Sequence, residues 1–574
     1  MPSPHAPLPM LGPLQGILSI RQRLGLWRAR RRASPGWTAA VAAVLAVMLL
    51  PVATTVVLAL TAFDDTWWHL ASTILPRVLT ETLMLMAGVS LATIVVGTLS
   101  AWIVTMYRFP GHAIVDRLLV LPLAMPTYLI AYAYVDFFDV AGPVQSGLRS
   151  LAGWQSANDY WFPSVRSTGG AVFVLSAALY PYVYLTARAS FVQQSVCVLE
   201  VARTLGQTPW GTFRFVALPL AKPALAAGLM LALMETLNDL GAVQHLGVET
   251  LSAAIYATWL QRSSLAGAAQ IATVALLLVA ALFWAERALR GGGRVHATTG
   301  RLRAIPFSEL EGWRAGVAFT VCLLPALVGF LLPFGVLGWN ALTHYADALE
   351  QGFWRAAMNS IALAAMAAAV AVALGVLLAY ARRVAANGFT RPAVRLAGLG
   401  YALPGTVLAL GLLIPLAAFD NRVDALARSW LGVSTGLLLS GTVATLVLAY
   451  SVRFLAVAHG TVEAGLERIS PNLDAAARTL GETALSALGR VHLPLLLPAL
   501  ATSALLVFVD VMKELPATLL LRPFNFETLS THVYALTSLE QVEAASVGAV
   551  AIVLVGLVPV LLLHKAVADG RAGG

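Results

Sequence analysis

Four acidic residues set in apolar sequence are the groups best placed to do chemistry: Glu235 and Asp239, and again Asp510 and Glu514. Each pair is spaced i, i+4, which on a helix projects both carboxylates from one face. An ionisable side chain within a membrane crossing costs about 2.5–3.5 kcal/mol on insertion scales, so such groups face a bundle interior or a watery cavity. Hard cations take oxygen ligands, and four carboxylates around a central path would suit a small, highly charged cation in transit. The alternative is that the acids lie near an interface, capping loops or pairing with cations, and Lys513 stands three residues after Asp510. Asp136 and Asp139, one turn apart, fit either a solvated helix end or a place that accepts substrate. Tyr128, Tyr132 and Tyr134 could add phenolic oxygens or simply pack.

Other chemistries are excluded by what is missing. Lysine occurs only at Lys222, Lys513 and Lys565, never inside Gly-Lys-Ser/Thr, so the chain has no phosphate-binding P-loop of its own. Cys197 and Cys322 form no Cys-x-x-Cys and read as apolar fillers, and no His-Glu-x-x-His occurs. No permanently bound metal and no cofactor in this chain is expected.

These residues sit in 574 residues that are 59% hydrophobic and 11% charged, against about 45–50% and 25% in soluble domains. The composition predicts an all-α polytopic membrane protein. At about 20 residues per crossing, twelve apolar runs are expected, near 37–62, 80–107, 117–138, 169–190, 216–242, 265–286, 315–341, 356–381, 396–419, 431–452, 494–519 and 545–564. With the N-terminus inside, the inner segments collect 28 of the 37 Lys and Arg residues. That asymmetry predicts both termini in the cytoplasm. The Arg21–Arg32 tail before a long apolar run reads as an uncleaved anchor. The net charge of +9 is then an orientation signal, and no basic stripe with interleaved aromatics points to nucleic acid. Pro126 and Pro404 predict kinks in the third and ninth crossings.

The chain repeats itself at an offset of 275 residues. Ala202-Arg203-Thr204-Leu205-Gly206 recurs as Ala477-Arg478-Thr479-Leu480-Gly481, each followed thirteen residues after the glycine by Leu-Pro, ending at Pro219 and Pro494. Pro223-Ala224-Leu225 matches Pro498-Ala499-Leu500, the acid pairs fall opposite each other, and Glu249-Thr250-Leu251-Ser252 corresponds to Glu527-Thr528-Leu529-Ser530. Six crossings per half return the chain to its starting side, so the halves are parallel repeats. The expected organisation is an N-tail over 1–36, a first half over 37–288 with a loop near 192–215, a linker over 289–314, a second half over 315–566 with a loop near 467–492, and a C-tail over 567–574.

Each repeated loop predicts a short helix ended by glycine and a second helical stretch entering the membrane. A cytoplasmic helix-turn-helix present twice suggests a docking surface used twice, rather than two amphipathic connectors. Glu200-Val-Ala-x-x-x-Gly206 with Leu218-Pro219 resembles the EAA loop of ABC-importer permeases. The second copy departs: Ala475 holds the glutamate position and Asp474 stands one residue earlier. The resemblance implies a type I importer-like fold in the bacterial inner membrane. It also implies two copies of a separate ATPase subunit, using ATP and Mg2+, docked on coupling loops built from Glu200, Ala202, Arg203, Gly206 and Pro219, and from Asp474, Ala476, Arg478, Gly481 and Pro494. An extracytoplasmic binding protein would deliver the substrate. The segments Met125-Pro126-Thr127-Tyr128 through Asp136, and Glu235-Thr-Leu-Asn-Asp239-Leu-Gly241 through Gln244, resemble the ferric-iron permeases among the fused two-half members. On that resemblance Glu235, Asp239, Asp510, Glu514, Tyr128 and Asp136 are the expected path residues. Thiamine, a phosphonate or a polyamine would keep the mechanism and change the cargo. An ion-coupled secondary transporter would need no paired docking loops, and a membrane enzyme would need an acid, base or metal constellation that the short outer loops lack.

Overall fold

The computed structural model describes residues 35–62, 66–194, 202, 204–290, 308–350 and 352–569. Glu200, Arg203, Cys197, residues 1–34 of the N-tail and most of the linker lie outside the described residues. The membrane-length segments are all α-helices, in which each apolar segment satisfies its own backbone groups where no water is available to do so. Among the described residues, eleven helices are long and apolar enough to cross a membrane.

The first half runs α1 (Pro35–Thr61), α2 (Leu75–Met106), α3 (His112–Leu118), α4 (Thr127–Phe138), α5 (Thr168–Gln193), α6 (Leu218–Asn238), α7 (Gly241–His245), α8 (Leu251–Leu260) and α9 (Leu265–Arg290). The second repeats the series as α10 (Gly312–Thr343), α11 (Phe353–Val384), α12 (Thr390–Ala397), α13 (Gly405–Leu431), α14 (Val443–Glu467), α15 (Pro471–Thr479), α16 (Leu493–Met512), α17 (Pro516–Leu521), α18 (Leu529–Ser538) and α19 (Val542–Asp569). A two-residue parallel pair, Tyr107–Arg108 with Ser308–Glu309, joins the end of α2 to the end of the linker.

Three expectations are corrected. The third crossing is a pair of helical segments, His112–Ala124 and Thr127–Ala152, bent by 99° at the break. Pro126 and Pro404 therefore stand at the N-caps of α4 and α13 rather than inside kinked helices, where a missing N–H costs nothing. The tenth crossing is α14, about a dozen residues later than the run at 431–452, because Leu431 closes α13 and Gly432 adopts a left-handed φ of 66°.

Within each half, α2 packs along α5 and α11 along α14. The leading helices cross over: α1 packs on α12 and α13 of the second half, and α10 on α3 and α4 of the first. Gly411 of α13 is essential to one crossing, since a Cβ there would come within 2.2 Å of the Pro51 carbonyl oxygen of α1. The halves are thus interlocked about a common core.

Candidate functional site

The repeated acids converge on one cavity of about 120 Å3, lined by Glu235, Asn238 and Asp239 of the first half and Asp510, Lys513 and Glu514 of the second, with Tyr128, Tyr182, Tyr401 and Arg453. Tyr182 and Arg453 belong to the middle turns of α5 and α14, so the cavity lies midway along the bundle.

The one-face expectation for each acid pair fails at the backbone. Helix α6 ends at Asn238 and α16 at Met512, so Asp239 and Glu514 stand beyond them. Each break starts a short helix whose first N–H groups need acceptors, and these two acids supply them. Asp239 Oδ1 accepts from the N–H groups of Ala242 at 2.9 Å and Val243 at 3.1 Å, while the Thr127 hydroxyl donates to Oδ2. Glu514 accepts from Ala517 and Thr518 N–H, both at 3.1 Å, and from the Thr518 hydroxyl at 2.8 Å. Capping and cavity lining are therefore properties of the same two residues. Glu235 and Asp510 lie in the final turns, Glu235 accepting from the Tyr401 hydroxyl at 2.9 Å and Asp510 paired with Lys513 at 3.1 Å.

A polar seam joins the halves at this level. Asn238 Oδ1 accepts from Gly405 N–H at 2.7 Å and from Arg453 Nη1 at 3.0 Å, and Arg453 also pairs with buried Glu514 at 3.3 Å. Sequence reasoning missed Asn238, Tyr401 and Arg453. A tenth crossing at 431–452 leaves Arg453 just outside the membrane, whereas α14 carries it at its middle; an arginine beside an apolar run, opposite intramembrane acids, is the signal available in the sequence.

Tyr128 is on the cavity, and Asp136 is not: its carboxylate accepts from Asn340 Nδ2 at 3.0 Å. Tyr134 donates to the Val328 carbonyl at 2.6 Å, in a packing role. Among the described residues no group of three or more His, Cys, Asp or Glu side chains is placed to hold a metal ion.

The repeated loops share one backbone design. Gly206 and Gly481 have φ of 83° and 82°, and the following N–H groups reach back to the carbonyls of Ala202 at 3.1 Å and Ala477 at 3.0 Å. Only a residue free of Cβ strain closes a helix this way cheaply. Thr208 and Thr483 then cap the next helical stretch through Gly211 and Ser486 N–H. A π-turn, Phe213–Ala217 or Leu488–His492, precedes each Leu-Pro, because proline at 219 or 494 removes an N–H and crowds the carbonyl one turn back. Ala202 and Ala477 are buried, Ala476 and Arg478 exposed, and Pro219 and Pro494 exposed. Four apolar residues protrude at matching positions: Leu205 and Trp210, 77% and 61% exposed, and Leu480 and Leu485, 83% and 70%. Asp474 instead turns inward, to Arg383 and His492.

Comparison with known proteins accounts for this duplicated plan. The family model described as binding-protein-dependent transport system inner membrane component matches residues 93–290 and again 371–572. The chain is 26% identical over 495 residues to the Fe(3+)-transport system permease protein FbpB 2 of Haemophilus influenzae, covering 85% of this chain and 90% of that protein. It is 31% identical over 219 residues to the sulfate transport system permease protein CysT of Escherichia coli, covering 37% of this chain and 76% of that one. It is 28% identical over 188 residues to the molybdenum transport system permease protein ModB of Escherichia coli, covering 32% and 79%. With both halves matched and, among the described residues, eleven membrane-length helices or twelve if the bent pair is one span, the chain belongs to the family of binding-protein-dependent transport system inner membrane components, as a type I ABC permease with its two halves in one polypeptide.

Proposed function

We propose that this inner-membrane permease carries ferric iron, delivered by an extracytoplasmic binding protein and driven by two copies of a separate ATP-binding subunit. The observation that carries the cargo assignment is the cavity at mid-bundle, where four acids from both halves face two basic residues. The likeness to the Fe(3+) permease supports it, since that likeness spans both halves whereas the sulfate and molybdenum permeases match about a third of the chain. About 120 Å3 admits a small ion with some water and not a solute of drug size, for which pockets run about 300–1,000 Å3.

In this scheme both termini are cytoplasmic and the loops ending at Gly206 and Gly481 are the docking turns. The exposed Leu205, Trp210, Leu480 and Leu485 provide the apolar contact that a protein partner covers. Closure of the ATP-binding subunits on ATP and Mg2+ moves the loops, and through α6 and α16 opens the seam at Asn238, Arg453 and Glu514. Among the described residues no acid set is grouped to chelate an ion, and in this scheme a transiting cation meets carboxylates in turn and leaves.

A second cargo class, a small oxyanion, is favoured by Arg453 and Lys513 on the same cavity, although each is already paired with an acid at 3.3 and 3.1 Å. Radiolabelled ferric-iron uptake by iron-starved cells with and without the chain decides between them, with ATP depleted in parallel and unlabelled sulfate, molybdate and thiamine as competitors. Uptake that requires the chain and ATP and ignores all three competitors is expected. Iron uptake indifferent to the chain, with labelled sulfate or molybdate uptake dependent on it, overturns the iron assignment.

A further inference from the structure

The two docking loops are tied to the membrane helices by unlike chemistry. In the second half, Arg383, in the last turn of α11, spends its guanidinium on the loop: Nε and Nη2 reach Asp474 Oδ2 at 2.8 and 2.7 Å, Nη1 donates to the Leu466 carbonyl at 2.7 Å and Nη2 to that of Ile469 at 3.0 Å. The other oxygen of Asp474 contacts Nε2 of fully buried His492, at 2.8 Å, where the π-turn leads into α16. Three residues before Arg383, Tyr380 donates its hydroxyl to the Ala484 carbonyl at 2.7 Å and packs its ring on His492. One turn of α11 thus holds the docking helix α15, the end of α14 and the start of the next helical stretch.

At the described positions of the first half that match Arg383 and His492 the side chains are uncharged. Gly97 faces Val183 and Tyr184 of α5 as Gly375 faces Ala458 and His459 of α14, which aligns the two pairs of helices and places Trp102 opposite Tyr380 and Thr105 opposite Arg383. The loop offset of 275 places Leu199 and Ala217 opposite Asp474 and His492. Trp102 packs on Phe191 and Phe213, with ring centroids 5.4 and 5.0 Å apart, and Trp210 on Phe213 at 5.2 Å.

We propose that Arg383 is a positioning residue that transmits motion of the second docking helix into α11, through a half-buried charged clamp on Asp474, where the described residues of the first half have aromatic packing instead. A guanidinium with several donors committed to one carboxylate and to the carbonyls of Leu466, Ile469 and Ser470 is directional and resists both shear and separation, whereas stacked rings permit sliding. The clamp also explains why an acid stands at 474: it is used within the permease and not presented to the partner. This rests on the docking-loop assignment and is independent of the cargo.

The test uses the full chain with its ATP-binding subunits in lipid nanodiscs and nitroxides at exposed Met358 of α11 and Leu426 of α13, the interspin distance being read with and without ATP and Mg2+. With R383Q and with the isosteric D474N, the ATP-binding subunit still copurifies, and the population reaching the ATP-dependent distance falls about tenfold, within the span of residues that couple distant sites. R383K recovers part of the shift, because an ammonium reaches one carboxylate oxygen and loses the carbonyl contacts, while W102L, in the aromatic linkage, leaves α11 responding. A full distance change in R383Q and D474N overturns the proposal. Undiminished copurification after bulky replacement of both Gly206 and Gly481 overturns the docking assignment instead, so the two failures are distinguishable.

Discussion

At the scale of single residues, the acids of the cavity have two tasks that substitution separates. Asp239 caps α7 and faces the cavity at once. Asp239→Asn keeps an oxygen for the cap and removes the charge, whereas Asp239→Ala loses both, with a cap worth about 1 kcal/mol. On the proposed function, D239N and E235Q each lower iron uptake about tenfold, the equivalent of about 1.4 kcal/mol, with the amount of protein in the membrane unchanged. Normal uptake in both removes these acids from the path, leaving Asp239 as a cap and Glu235 as the partner of Tyr401. A different acid reports on pH. At Glu482, in the second repeated loop, the Ser486 hydroxyl first and then the Arg490 guanidinium hold the carboxyl below the ordinary carboxylate range. Its folded value being depressed, its contribution is complete above the unfolded value of about 4.3 and is lost as pH falls from there through the folded value. The protection factors of the amides at 483–490, that is exchange corrected for its intrinsic pH dependence, should therefore be flat from neutral pH to about 5 and fall below about 4, and E482Q should abolish that step.

At the scale of elements, the two recurrent devices are the glycine turn and the π-turn before Leu-Pro. Gly206 and Gly481 in the left-handed region predict a cost of about 1–2 kcal/mol for any residue with a Cβ. Bulky replacement of both abolishes uptake while insertion persists, measured as transport against membrane protein; a double variant with normal uptake separates these turns from coupling. The π-turn recurs outside the repeated loops too: Leu70–Ile74 precedes Leu75-Pro76 and Leu327–Leu331 precedes Leu332-Pro333. These prolines were visible in the sequence, but the extra residue that each accommodates was not, because it is a backbone response to a clash. The shared Glu-Thr-Leu-Ser segments have a comparable explanation. Thr250 and Thr528 cap α8 and α18, and Ser252 and Ser530 donate to the carbonyls of Leu237 and Glu514, near the breaks after α6 and α16. That repetition serves the helix breaks and not the cargo.

At the scale of the molecule, the crossed leading helices and the seam make one body of two halves. Gly411→Val drives a side chain into the Pro51 carbonyl and is expected to cost about 1–3 kcal/mol by overpacking, seen as a lower unfolding temperature of the purified protein in detergent. Arg453→Met leaves Glu514, 5% exposed, without its cation, and breaking such a pair costs about 3–5 kcal/mol; the double variant R453M/E514Q recovers most of it. If R453M unfolds at the native temperature, the seam contributes no stability.

Composition alone determined that this chain spans a membrane many times, since so few charges cannot solvate a soluble surface, and the 275-residue repeat determined that it does so as two parallel sets. The loops at Gly206 and Gly481 were legible because a left-handed helix end demands a particular residue at a particular spacing. Tertiary structure alone decided where α6 and α16 break, that Arg453 lies on the cavity and Asp136 off it, that α1 and α10 exchange partners, and that Asp474 answers to Arg383. Those outcomes depend on which helices touch. An apolar run fixes that a segment is buried, while the partner it is buried against depends on shape and charge contributed by residues hundreds of positions away.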